Sequence, residues 1–230
     1  MTCVVAWISE EKMFIGSDTA AVAGDRVIMI GNPKFLLIKR RKNPDMLIGV
    51  AGRAKAYQVL MKLNGLIPED KTKDPHAFVS QIISPLIQCL MAEEHLTYVS
   101  EETETEEELQ SSELLVAYRG KLFEIGADFS VLEIAANFHA IGSGGEYAVS
   151  SITTAVNMGA KIEPEQLILN ALKAAETYSA SVRGPFKTIE VPIEKTEKEE
   201  KKNKKGAKPK EKVPKKTSKK KKETGGKTKK

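Results

Sequence analysis

The stretch Thr2-Cys3-Val4-Val5-Ala6-Trp7-Ile8, Ser9-Glu10-Glu11-Lys12, Met13-Phe14-Ile15-Gly16-Ser17-Asp18 decides how this chain is read. Two short apolar runs, Cys3–Ile8 and Met13–Ser17, flank a polar turn, which is the pattern of a β-hairpin. The hairpin begins within a residue or two of the start, so Thr2 stands at one strand end and Asp18 closes the other. Methionine is commonly trimmed before a small residue, and that would place a hydroxyl and a free α-amine together on Thr2. An amine with a pKa of about 7.7–8.0 is substantially neutral near physiological pH and can act as a base toward a hydroxyl.

Outward from the hairpin, Lys34 opens a later strand in Gly31-Asn32-Pro33-Lys34. A lysine beside a hydroxyl favours the anionic form, and a carboxylate such as Asp18 would fix and charge that lysine. Each residue alone has an ordinary reading, as a common chain start, a turn aspartate and a surface cation. Their regular spacing, at 2, 18 and 34, sets them apart.

Further short strands are expected at Val27–Ile30, Phe35–Ile38, Met46–Val50, Leu114–Tyr118, Leu122–Ile125, Phe138–Ile141 and Thr188–Ile193. Helices are expected from Ala54 to about Leu63, from roughly Ala77 to Met91, from Tyr147 to Val156, and from just after Glu163-Pro164 to about Ala180. In the second of these, Phe78, Ile82, Ile83, Leu86 and Leu90 recur at helical spacing, and Pro85 predicts a kink or break. Segregated blocks of strands and helices indicate an α+β architecture with two sheets and helices outside them.

Charge divides the chain in two. The whole carries 36 basic and 31 acidic residues, a net of +5. Residues 195–230 hold 18 Lys against 5 Glu, and only Ala207 and Val213 are apolar there. That tail cannot offset an ordering cost of roughly 1–2 kcal/mol per residue, so disorder is expected. Residues 1–194, with 18 basic and 26 acidic groups, are expected to form one acidic domain. Glu101–Glu113 reads as an exposed acidic insert.

Several classes are excluded. No run approaches the roughly 18–20 apolar residues of a membrane span. The start lacks the basic flank and cleavage site of a secretory signal. Cys3 and Cys89 make no disulfide framework, so a reducing cytoplasm is expected. His76, His95 and His139 lack metal-ligand spacing, and Gly142-Ser143-Gly144-Gly145 lacks the Gly-Lys-Ser/Thr of a phosphate loop. No cofactor is expected. Cys3 alternates to the face opposite Thr2 and reads as packing, as do Met61, Met91 and Met158.

Thr2, Asp18 and Lys34, together with Gly49-Val50-Ala51-Gly52 and Ile141-Gly142-Ser143-Gly144-Gly145, resemble the proteasome β-subunit superfamily of N-terminal nucleophile hydrolases. Ala140–Ala148 and Phe186-Lys187-Thr188-Ile189-Glu190 are most similar to the bacterial HslV-type peptidase subunit. The likeness covers about residues 2–192. It implies a four-layer α-β-β-α sandwich and a threonine-type endopeptidase acting on proteins or peptides. It also implies self-assembly into hexameric or heptameric rings, stacked, with an ATP-driven unfoldase as partner.

By the same resemblance Thr2 is the nucleophile, with its own amine as base, and Lys34 lowers the hydroxyl pKa while Asp18 holds Lys34. The Gly49 N–H stabilises the oxyanion. Ser143 bonds the Thr2 amine, although it also suits an ordinary helix N-cap. Ala21, Asn32 and Leu47 fall where the family lines its first specificity pocket, implying a neutral side chain before the cleaved bond. The family's Asp-x-x-Ser element is altered here. Glu176 and Ser179 keep the spacing, while an ungapped match puts Thr177 at the carboxylate position. That region supplies cation-binding carbonyls in HslV-type proteins, and no metal ligand is assigned from this sequence.

Two other functions fit the same residues. An acyl ester on Thr2 can be opened by an amine, giving a transpeptidase or protein ligase. Alternatively the site is weakly active and the basic tail, poor in aromatic residues, serves as a sequence-independent contact for nucleic acid or acidic partners.

Overall fold

The computed structural model describes residues 2–23, 26–40, 44–72, 74–93 and 112–193. The strands are β1 (Val4–Ile8), β2 (Lys12–Ser17), β3 (Ala20–Ala23), β4 (Arg26–Met29), β5 (Phe35–Ile38), β6 (Met46–Ala51), β7 (Glu113–Tyr118), β8 (Lys121–Ile125), β9 (Val131–Ile134), β10 (Phe138–Ile141) and β11 (Lys187–Pro192). The helices are α1 (Ala54–Leu60), α2 (Pro75–Phe78), α3 (Ser84–Glu93), α4 (Gly145–Asn157) and α5 (Pro164–Tyr178).

The N-terminal hairpin forms as its pattern demands. β1 and β2 pair antiparallel from Val4 opposite Ser17 to Ile8 opposite Met13. The Ser9 hydroxyl locks the turn, accepting from Lys12 N at 2.9 Å and donating to Lys12 O at 3.0 Å. β10 flanks β1 and β11 flanks β2, completing one antiparallel sheet. β5 to β9 form the second in sequence order, and β3–β4 is a separate hairpin.

Side-chain alternation then sorts the core into three layers of packing. Val4, Ala6, Ile8, Met13 and Ile15 meet Phe35, Leu47, Ala51, Leu115 and Ala117 between the sheets. Cys3, Val5 and Phe14 face the other way, onto Ile152 of α4 and Ile168, Ala171, Leu172 and Ala175 of α5. Met46, Ile48, Val50, Leu114, Val116 and Tyr118 pack against Val59, Leu60, Ile87 and Leu90 beneath α1 and α3. The order through the domain is helices, sheet, sheet, helices. Burying each aliphatic side chain contributes about 1.5–3 kcal/mol, so both faces of both central strands are stabilising.

The sheets approach closely at Gly49. A Cβ built there would lie 2.5 Å from Val4 Cγ1. Gly49→Ala is therefore expected to destabilise the protein by about 1–3 kcal/mol through overpacking. Thermal melts check this, and adding Val4→Ala should restore part of the loss because the two sites share one contact.

Several elements depart from the sequence expectations. β3 and β9 are additional strands, short and without clear alternation; Leu132 at the centre of β9 is 61% exposed. β4 begins one residue before the expected run. The expected Ala77–Met91 helix starts at Pro75, where the Asp74 carboxylate accepts from His76 N at 3.0 Å, and runs to Glu93. Pro85 does not break it. A wide π-turn over Val79–Ile83 precedes the proline and relieves the crowding of its ring on the preceding turn. α5 stops at Tyr178, two residues short of the expected end. Met91 is buried, whereas Met61 and Met158 are exposed.

Residues 101–111 of the acidic insert, His95 and the Lys-rich segment 195–230 lie outside the described residues. Among the described residues no helix is long and apolar enough to cross a membrane.

Candidate active site

Thr2 sits where β1 meets the turn after β10. Its carbonyl accepts from Gly144 N at 3.1 Å, which extends the β1–β10 pairing past Ile141. Gly142 makes that turn possible, with φ of +86°, and a Cβ there would collide with the Thr2 carbonyl oxygen. The end of the chain is thus held by backbone geometry before any side chain acts.

Asp18 and Lys34 converge on the Thr2 hydroxyl. Asp18 continues the hairpin register, its N–H donating to Cys3 O at 3.3 Å. Its carboxylate accepts from Cys3 N at 3.0 Å and Ala20 N at 3.2 Å. Lys34 enters from the start of β5, positioned by its own N–H to Ser17 Oγ at 2.9 Å. Lys34 Nζ lies 2.9 Å from both Asp18 oxygens and 3.1 Å from Thr2 Oγ1, and it also donates to Ala20 O. Relative exposure is 4% for Thr2, 0% for Asp18 and 8% for Lys34.

This electrostatic arrangement opposes burial with pairing. Burial lowers the Lys34 pKa from its ordinary value, and the Asp18 charge and hydrogen bond push it back up. A buried ammonium 3.1 Å from a hydroxyl stabilises the alkoxide and accepts no proton while charged. Cys3, next along the chain, has no such role. Burial, with the Asp18 charge second, pushes its thiol up to about 12, and the side chain lies in the core below α4 and α5.

The Thr2 nitrogen, on the other side, donates to Ser143 Oγ at 3.2 Å. Ser143 is not the N-cap of α4; that position is Gly144, which makes no side-chain cap bond. The Ser143 hydroxyl instead reaches Ser181 Oγ at 3.0 Å, and Ser181 reaches Ser179 Oγ at 3.1 Å. A serine relay therefore leads from the Thr2 nitrogen into the loop after α5. Sequence reasoning missed Ser181, whose place in the relay depends on the loop conformation rather than on helical spacing.

Other predicted site residues lie elsewhere. Glu176 accepts from Gly184 N at 2.9 Å, and Thr177 bonds back to Lys173 O at 2.9 Å within the helix. Neither hydrogen bond goes to the Thr2 nitrogen, and Ser179 acts one step removed, through Ser181. Leu47 is wholly buried between the sheets. Strand parity places it there, since Leu47 shares the inward face with Gly49 and Ala51. Ala21 lies on β3, half-buried, and Asn32 is exposed in the turn before Lys34.

Gly49 lies on the face of β6 toward β1, where an added Cβ would meet Val4 and Ile15. Val50 N donates to Lys34 O at 2.9 Å, so Val50 turns its backbone groups toward β5. Strand alternation then turns those of Gly49 toward β7, where it pairs with Leu115. The absence of a side chain at Gly49 serves the contact with Val4. Gly52 follows just past β6 with φ of +115°, a conformation that suits glycine.

The loop after α5 does not fit a metal ion. The carbonyl oxygens of Glu176, Ser179 and Val182 converge on Arg183 Nη1 at 3.2, 3.0 and 2.6 Å. A guanidinium nitrogen fills the cup. Among the described residues no group of His, Cys, Asp and Glu could hold a metal.

No protein-family model and no curated protein matches the sequence. Solved structures match the fold. BPH from Thiobacillus denitrificans superposes with a TM-score of 0.63 at 19% identity, over 84% of this chain and 98% of that one. Eukaryotic HslV from Trypanosoma brucei gives 0.56 at 18%, over 83% and 99%. A helical assembly of the Anbu complex from Pseudomonas aeruginosa gives 0.60 at 14%, over 83% and 81%. BPH and Anbu are as similar as HslV, so the likeness does not single out the HslV type. It establishes that this chain has the proteasome β-subunit-like fold that those structures share.

Proposed function

We propose that this chain is a threonine-type peptidase subunit whose nucleophile is Thr2 after removal of Met1. One observation carries the reading. Lys34 Nζ, clamped by both oxygens of a fully buried Asp18, is within hydrogen-bond reach of Thr2 Oγ1 at 3.1 Å.

The α-amine takes the hydroxyl proton as Oγ1 attacks a peptide carbonyl, and Lys34 holds the developing alkoxide. The carbonyl oxygen becomes an oxyanion, to be held by backbone N–H groups. Collapse breaks the C–N bond, the amine's proton passes to the departing amine, and an ester remains on Thr2. Water then adds to the ester and releases the acid. Ser143, backed by Ser181 and Ser179, holds the amine in register for both steps.

Assembly belongs to the same reading. It takes in self-assembly into stacked rings, an ATP-driven unfoldase as partner and protein substrates; the assembled Anbu complex of similar fold supports self-assembly. On this chain the exposed face of β4, with Val27, Ile28 and Met29 about half accessible, is the apolar strip offered to neighbouring subunits.

The test is the pH dependence of kcat/KM on a fluorogenic peptide. Activity is expected to rise as the α-amine loses its proton, near pH 8 for an ordinary amine. It is expected to fall again as Lys34 deprotonates, on a limb displaced below the ordinary lysine range of about 10.4. The sign follows from burial, which disfavours the charged lysine. A profile that keeps rising through pH 10 would contradict the assigned role of Lys34.

A further inference from the structure

Arg183 makes contacts that peptide cleavage as described above does not use. Its Nη1 donates to three carbonyl oxygens, those of Glu176, Ser179 and Val182. Glu176 belongs to the last turn of α5, where carbonyls lack helical partners and the helix dipole is negative. Ser179 and Val182 belong to the turn that follows. Three partial negative charges pointing at one spot repel one another unless a cation lies between them, and the guanidinium is that cation.

The turn so pinned is the one that carries the serine relay. Ser179 and Ser181 lie on it, and Ser181 Oγ reaches Ser143 Oγ, the partner of the Thr2 nitrogen. The backbone of the same arginine reaches the other half of the site. Arg183 O accepts from Thr19 N at 3.3 Å, and Thr19 Oγ1 donates to Pro185 O at 2.8 Å, directly after Asp18. Residues 183–185 therefore join the support of the Thr2 amine to the support of the Thr2 hydroxyl.

We infer that Arg183 is a built-in cation that positions the Thr2 amine, so that the loop after α5 is organised by a guanidinium instead of a metal ion. This rests on the threonine-peptidase reading and adds a positioning residue to it. The charged groups on the elements that hold Thr2 are Asp18 and Lys34 from the hairpin side, Glu113, whose carboxylate accepts from Gly142 N at 3.1 Å, Glu176 on α5, which accepts from Gly184 N, and Arg183 itself. Removing Arg183 alone takes away a positive charge and loosens the turn. The amine should then hold its proton more tightly.

The experiment titrates the Thr2 α-amine of the full chain by isotope-labelled reductive methylation and NMR, with peptide cleavage followed on separate samples. Arg183→Ala is expected to move the amine midpoint up by about half a pH unit or more. It is also expected to lower kcat about tenfold near neutral pH while leaving KM unchanged. Added guanidinium ion should reverse both effects, Arg183→Lys should keep the midpoint nearer the starting value, and EDTA or Mg2+ should leave the unmodified protein unaffected. An unchanged midpoint in folded Arg183→Ala overturns the inference, as does failure of guanidinium to restore it or a Mg2+-dependent midpoint in the parent. If Arg183→Ala does not fold, Ser181→Ala severs the relay with the cup intact; a lower kcat at constant KM supports the inference and an unchanged kcat overturns it. A parent protein that cleaves no peptide defeats the peptidase reading instead, and the amine titration still decides the role of Arg183.

Discussion

Thr2→Ala is expected to abolish peptide cleavage, lowering kcat by a factor on the order of 10^4 or more. The substitution removes Oγ1 and leaves the α-amine, Lys34 and Asp18 in place. Alanine is also small, so trimming of Met1 continues and the loss cannot be assigned to a blocked amine. Thr2 is buried, with 4% exposure, and Oγ1 accepts from Lys34, so some stability is lost as well. One such hydrogen bond contributes about 1 kcal/mol, far too little to unfold the domain. Thr2→Ser, which keeps the hydroxyl, should retain measurable cleavage. Steady-state kinetics on both variants, with a thermal melt as control, decide the matter.

The second large effect is at Lys34. Lys34→Met is expected to remove activity and to destabilise the fold by about 3–5 kcal/mol, because it leaves a buried carboxylate without its cation. Asp18 is fully buried and lies 2.9 Å from Nζ, so no solvent replaces the lost partner. Pairing Lys34→Met with Asp18→Asn separates the two roles. The double variant should regain most of the stability and none of the activity, a non-additive result in chemical denaturation. Simple additivity would mean that the ion pair is not the unit the geometry describes.

How much of this was legible in the sequence depended on which physical rule was needed. The hairpin at Thr2–Asp18 was readable because two apolar runs and a polar turn leave one register. Thr2, Asp18 and Lys34 come together because β1, β2 and β5 end at the same edge, and their spacing pointed there. Strand parity was harder. Gly49 and Leu47 fall on the face between the sheets, and only the paired register shows it. The loop after α5 was not legible at all. Ser181 and Arg183 act through a turn whose conformation no periodicity encodes, whereas Glu176, which matched a spacing, bonds to Gly184.

The state of the first residue in the active protein decides whether the α-amine can act as base. N-terminal sequencing with intact mass on the peptide-cleaving fraction is the measurement. The prediction is Thr2 as the first residue, with the mass lowered by one methionine. A fully active fraction that retains Met1 would contradict it, because the α-amine would then lie outside the Thr2, Lys34 and Ser143 cluster and could not serve as the base.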